Sequence, residues 1–147
     1  MISTTIEQSK ELVRLGLDPK TADMCFEMDK GNWTLNVGKK SAQVNRGLAI
    51  PAWSLDALLK VMPIHIAKDG MEYKLKVFPS GLFSTHSDTS KWTLQYCGID
   101  YSYRARDKYP ILVKVTQHDL IDAAYEMACW LLEQGFIKKG DNDDSKD

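Results

Sequence analysis

Three histidines, three cysteines and a scatter of carboxylates are the residues with which this chain could do acid–base, nucleophilic or metal chemistry. Their spacing favours none of the three. His65, His86 and His118 stand too far apart for any recurrent metal-ligand spacing. His86 and Asp88 form a His-x-Asp pair in THSDTS, an arrangement that can orient a base. A stretch so rich in Ser, Thr and Asp more often owes that composition to a turn. His65 reads as a solvated strand residue and His118 as part of the first turn of a helix. No second group is fixed beside any of them, so ordinary structural roles are preferred. Cys25, Cys97 and Cys129 are odd in number and contain no CxxC pair. Buried free thiols are therefore expected, with Cys129 the most reactive, in place of a disulfide framework or a zinc site. GLFSTHS is no nucleophile elbow, because no helix follows it, and neither GxGxxG nor GxxxxGK[ST] occurs. Asp100 and Asp107 flank one strand and are the slender basis for a nuclease reading. No metal and no cofactor is expected.

The remaining chemistry is basic. A hairpin turning at Gly98-Ile99 sets Tyr96 opposite Tyr101, Leu94 opposite Tyr103 and Trp92 opposite Ala105. Its other face then carries Lys91 opposite Arg106, with Arg104, Gln95 and Thr93 beside them and Lys108 and Lys114 downstream. A like-charge pair costs stability unless an anion is near, and a phosphate backbone suits such a surface. Lys91, Arg104 and Arg106 are thus the candidate nucleic-acid-binding residues. Against this stands the charge: the last eight residues hold four aspartates and one lysine, which leaves the rest of the chain at only +2 within a total of −1. The tyrosines share a face with Leu94 and Trp92 and read as core.

These groups must be held by elements that local signals predict. Thr5 and Gln8 have capping-box spacing before a helix over Ile6 to Leu15, which Gly16 ends. Asp18-Pro19 restarts a short helix through Met24, and WTLNV at 33–37 forms a weak strand before a loop, GKKSAQVNRG. In PAWSLDALLKVMP, Ser54 caps a helix whose apolar face is Leu55, Leu58, Leu59 and Met62. Asp69-Gly70 makes a two-residue hairpin turn that sets Ile66 opposite Tyr73 and Ile64 opposite Leu75. A strand over Ile111 to Val115 follows Pro110. Thr116 and Asp119 then open a long helix that runs to Gly135, with an apolar arc so wide that only Asp122, Glu126, Cys129 and Glu133 are left on the opposite strip.

Helices, then strands, then a helix, without alternating βαβ units, predict an α+β fold. Its expected form is an antiparallel sheet of about four to five strands, two hairpins plus a short strand, packed by a long C-terminal helix and shorter N-terminal helices. The 147 residues fit one domain over 1–139 with an acidic tail over 140–147 that has nothing apolar to bury. No apolar run reaches the roughly 20 residues of a membrane span, and MISTTIEQSKELVRLGL has no basic head before an apolar stretch. Cytoplasm is the expected compartment.

TADM at 21–24, PAWSLDALLKVMP at 51–63 and LIDAAYEMACWLLEQGFIKK at 120–139 resemble a group of small phage and prophage proteins of Bacteroides-type gut bacteria. The resemblance implies phage origin and a bacterial cytoplasm, and brings no activity or site residue with it. The leading expectation is a non-enzymatic phage accessory protein that acts through protein–protein binding or self-association. A nucleic-acid-binding module is the alternative, and a small hydrolase or nuclease around His86, Asp88 or Asp107 comes last.

Overall fold

Capping decides where the first helix starts. In the computed structural model, which describes residues 2–37, 47–80, 91–98 and 110–140, α1 (Ile6–Arg14) opens on the expected capping box. The Gln8 amide donates to Thr5 Oγ1 at 3.1 Å and the Thr5 amide to Gln8 Oε1 at 3.0 Å. Leu17 N–H reaches back to Leu12 C=O and Gly16 N–H to Val13 C=O, so the helix ends in a Schellman turn. After Asp18-Pro19 the structure departs from expectation. The helical segment is a single 3-10 turn, Pro19–Thr21, and the chain is already extended at β1 (Met24–Asp29). Met24, Phe26 and Met28 alternate with Cys25, Glu27 and Asp29, a period of two that no helix can satisfy.

Lys30-Gly31 then turns the chain. Both residues have positive φ (49° and 83°), as a type I′ hairpin turn requires, and β2 (Asn32–Asn36) returns along β1. On the other side β1 pairs with β3 (Ala49–Ala52), giving a three-stranded antiparallel sheet in the order β2-β1-β3. α2 (Leu55–Val61) follows, with Ser54 Oγ accepting from Ala57 N–H at 3.2 Å and Lys60 paired to Asp56 at 2.8 Å.

The second sheet is also antiparallel, in the order β4-β5-β6-β7: β4 (His65–Lys68), β5 (Met71–Pro79), β6 (Trp92–Gly98) and β7 (Ile111–Gln117). The Asp69-Gly70 hairpin has the predicted register, with Ile66 opposite Tyr73 and His65 opposite Lys74. The expected second hairpin needs correction. β6 has β5 on one edge and β7 on the other, so Leu94 faces Val77 and Val115, and Tyr96 faces Leu75 and Val113. Residues 99–109, the other arm of that expected hairpin, lie outside the described residues. Thr116 is likewise no cap: it belongs to β7, opposite Thr93, and Asp119 directly precedes α3 (Leu120–Glu133).

The fold is thus α+β, with strands divided between two antiparallel sheets. The chain forms two compact units, one of residues up to Met62 together with those from Ala128 on, the other of Pro63–Met127. In the first, Leu12, Cys25, Trp53, Leu58, Ala128, Leu131 and Leu132 are buried, and in the second Ile66, Leu94, Tyr96, Val115, Ala123, Ala124 and Met127. The wide apolar arc predicted for α3 is buried as expected, apart from half-buried Leu120, Tyr125 and Trp130. Its C-terminal Schellman turn at Gly135 brings Phe136 back against Trp130, ring centroids 5.7 Å apart. No described helix is long and apolar enough to cross a membrane.

Candidate functional site

Of the residues singled out for chemistry, most do not converge. His65 Nδ1 lies 3.1 Å from Glu72 Oε1 on an exposed strand face, an ordinary cross-strand pair. His118 precedes α3 instead of lying in its first turn. His86, Asp88, Asp100, Arg104, Arg106, Asp107 and Lys108 lie outside the described residues. Among the described residues no group of three His, Cys, Asp or Glu is placed to hold a metal. Cys25 and Cys97 are buried and Cys129 half-buried. Asp23 accepts from the Ser54 amide at 2.9 Å and from the Ser54 hydroxyl. With Trp53 Nε1 donating to Thr21 Oγ1 at 2.9 Å, it ties TADM to the start of α2.

Lys91 stands at the entry to β6, its carbonyl accepting from Ser80 N–H at 2.8 Å. The register places Lys76, Gln95 and Lys114 in one row across β5, β6 and β7, on the face that also holds Lys74 and, by alternation, Lys91. The basic face foreseen for β6 thus draws Lys76 and Lys114 from its real neighbours. Between the lysines the centre of that face is closed: Thr93 is buried in a hydroxyl ladder, 2.6 Å from Ser80 Oγ and 3.1 Å from Thr116 Oγ1.

A different surface was missed. Pairing in the three-stranded sheet puts Phe26 opposite Leu35 and Ile50, Met28 opposite Trp33, and Met24 opposite Ala52. All of these lie on one face, and every position on it is apolar. Val37 and Leu48 continue the alternation beyond the strand ends. The other face carries Cys25, Ala49 and Pro51, which are buried, and Glu27, whose Oε2 accepts from Asn36 Nδ2 at 2.7 Å. A two-sided sheet normally buries its apolar face and wets its polar one. Here much of the apolar face is open: Met28 is 52% exposed, Trp33 39%, Leu48 59% and Val37 74%.

At one end this face forms the floor of a groove of about 640 Å³. Phe26 and Leu35 make its floor, Ile2 and Ile6 its apolar wall, and Glu7 and Lys10 its polar rim. The capping box fixes that wall. Thr4 adds a second anchor, its amide donating to Trp53 C=O at 2.9 Å and its Oγ1 accepting from Trp53 N–H at 3.1 Å. An apolar floor with a mixed-charge rim excludes water and accepts apolar side chains. The signal for it was in the sequence, as M-x-F-x-M at 24–28 and W-x-L-x-V at 33–37 around Lys30-Gly31. Reading Asp18-Pro19 as a helix start that ran through Met24 hid it. Compared with protein-family models, with curated proteins and with solved structures, the chain matches none.

Proposed function

We propose that this chain acts by binding another polypeptide through the apolar face of the β2-β1-β3 sheet. The observation that carries the reading is the exposure of Met28 and Trp33, a cross-strand pair at the open end of a face without a polar position. Contiguous exposed apolar surface of this kind marks an interaction site more often than chance. Large aromatic and Met side chains are the ones interfaces favour. An accessory role in a bacterial host cell is the setting we propose for that contact. The test is a photo-crosslinking residue in place of Trp33, with a second at exposed Lys60 as control. A discrete polypeptide adduct from position 33, lost on Met28→Lys, is expected; no adduct from position 33 overturns the reading.

A second reading rests on the Lys76–Gln95–Lys114 row, with Lys91 on the same face. Lysines two strands apart are about 10 Å from one another, within reach of neighbouring phosphates. DNA affinity that falls steeply with salt and weakens in Lys76→Ala/Lys114→Ala is its signature. Absence of DNA binding at low salt removes it.

A further inference from the structure

The apolar face of the β2-β1-β3 sheet limits what can cover it. Among its described positions the Trp33 indole N–H is the one strong hydrogen-bonding side-chain group, the rest being Met, Phe, Leu, Ile, Val and Ala. An extended segment laid on such a surface would bury backbone N–H and C=O groups with nothing to bond, which is costly. An α-helix satisfies its backbone within itself and offers side chains alone. Spacing points the same way. Trp33 and Leu35 stand about 6.8 Å apart along β2, twice the rise per residue, and Val37 continues the row. Residues i and i+4 of a helix are about 6 Å apart along its axis, so an i, i+4, i+8 stripe stays in step with those three side chains.

The groove adds a wall and a charge pattern. Exposed Ile2 and half-buried Ile6 border it, and Glu7 and Lys10 stand one turn apart on α1 at its rim. Arg14 pairs with Glu11 and Lys60 with Asp56, whereas exposed Glu7 and Lys10 pair with no described side chain. Resting on the binding reading above, we infer that the occupant is an amphipathic α-helix lying along β2 with its apolar stripe on the sheet. One residue of that stripe sits in the groove between Leu35 and Ile6. The flank of the helix carries a basic residue toward Glu7 and an acidic residue toward Lys10. About 14 residues of helix match the roughly 20 Å length of β1. The helix belongs to a different polypeptide. Leu12 of α1, Leu58 of α2, and Ala124 and Leu131 of α3 are buried within their own chain, so a second copy has no free apolar stripe to donate.

The probes are fluorescent, hydrocarbon-stapled helical peptides of about 14 residues. One carries leucines at i, i+4 and i+8 with a lysine and a glutamate on its flank; the other has the same residues with the leucines spread around the helix. The patterned peptide is expected to bind the full chain about tenfold more tightly than the scrambled one, and to lose about tenfold with Met28→Lys. The double variant Glu7→Lys/Lys10→Glu should weaken it, and exchanging the peptide's lysine and glutamate should restore the affinity. Equal binding of the two peptides, or binding indifferent to Met28→Lys, overturns the helix assignment. So does tighter binding of an unstapled, proline-interrupted version, the result an extended ligand gives. A chain that sediments as a dimer, broken by Met28→Lys, makes a second copy the occupant and overturns it as well. If the peptides fail while position 33 still yields an adduct with another polypeptide, the binding reading survives alone. If neither binds, both fall.

Discussion

Thr4 shows how much one buried hydroxyl can organise. It is fully buried, its Oγ1 accepts from the Trp53 amide, and it lies 2.8 Å from Ser9 Oγ. Thr4→Val keeps the shape and removes the acceptor, leaving the Trp53 N–H without this partner. A loss of about 1–3 kcal/mol in urea unfolding is expected, with Thr4→Ser close to wild type. Tyr96 is the counterpart in the second sheet: its hydroxyl donates to Pro63 C=O at 2.7 Å, and burial pushes the phenol well above its ordinary pKa. A phenol whose pKa is raised on folding gives stability that is complete below its unfolded value of about 10 and is lost as pH rises beyond it. Tyr96→Phe should therefore cost about 1–2 kcal/mol at neutral pH and make unfolding above about pH 10 less steep. A variant with an unchanged alkaline limb would show that the phenol does not govern it.

Single elements were legible where a local signal admits one answer. The Thr5–Gln8 box, the Ser54 cap and the Asp69-Gly70 turn are each set by bonds or dihedrals within a few residues, and each stands where it was read. β1 was not legible in that way, because Asp-Pro starts a 3-10 turn as readily as an α-helix. The partners of β6 are a longer-range matter. Between β6 and β7 the ladder slips at Tyr96/Cys97, and Gly98 N–H bonds Pro110 C=O at 2.7 Å. A Cβ on Gly98 would lie 2.7 Å from Pro110 Cγ and 3.1 Å from Met71 Sδ. Gly98→Ala is therefore expected to cost about 1–3 kcal/mol by overpacking, measured by chemical unfolding. An unperturbed variant would mean that Pro110 moves aside at little cost.

On the scale of the whole chain, the C-terminal segment is tied in further than its composition suggests. Gly140 N–H donates to Gly16 C=O at 2.7 Å, and a Cβ on Gly140 would stand 2.7 Å from Asp18 Cα. Ile137 is buried. The docked chain therefore reaches one residue past the boundary expected at Lys139. Truncation after Gly140 should leave Tm unchanged, since the residues removed hold no apolar side chain. Truncation after Phe136 deletes Ile137 and should cost about 2–5 kcal/mol. A Tm drop of similar size for both truncations would place the anchoring beyond Gly140.

By itself the sequence determined the class of fold, the caps of α1 and α2, the Asp69-Gly70 hairpin and its register, and the wide buried arc of α3. All of these follow from side-chain periodicity and from turn and cap chemistry, which act over a few residues. Only the tertiary structure decided which strands share a sheet, because an extended segment can satisfy its backbone with any edge of suitable register. That choice put β5 and β7, in place of residues 101–105, beside Trp92–Tyr96. It also decided which apolar residues stay exposed. Met28 and Trp33 are as apolar as Leu12 and Leu58, and nothing in their types marks them for the surface. They are exposed because the packing that buries Cys25 and Pro51 turns the opposite face of β1 and β2 outward.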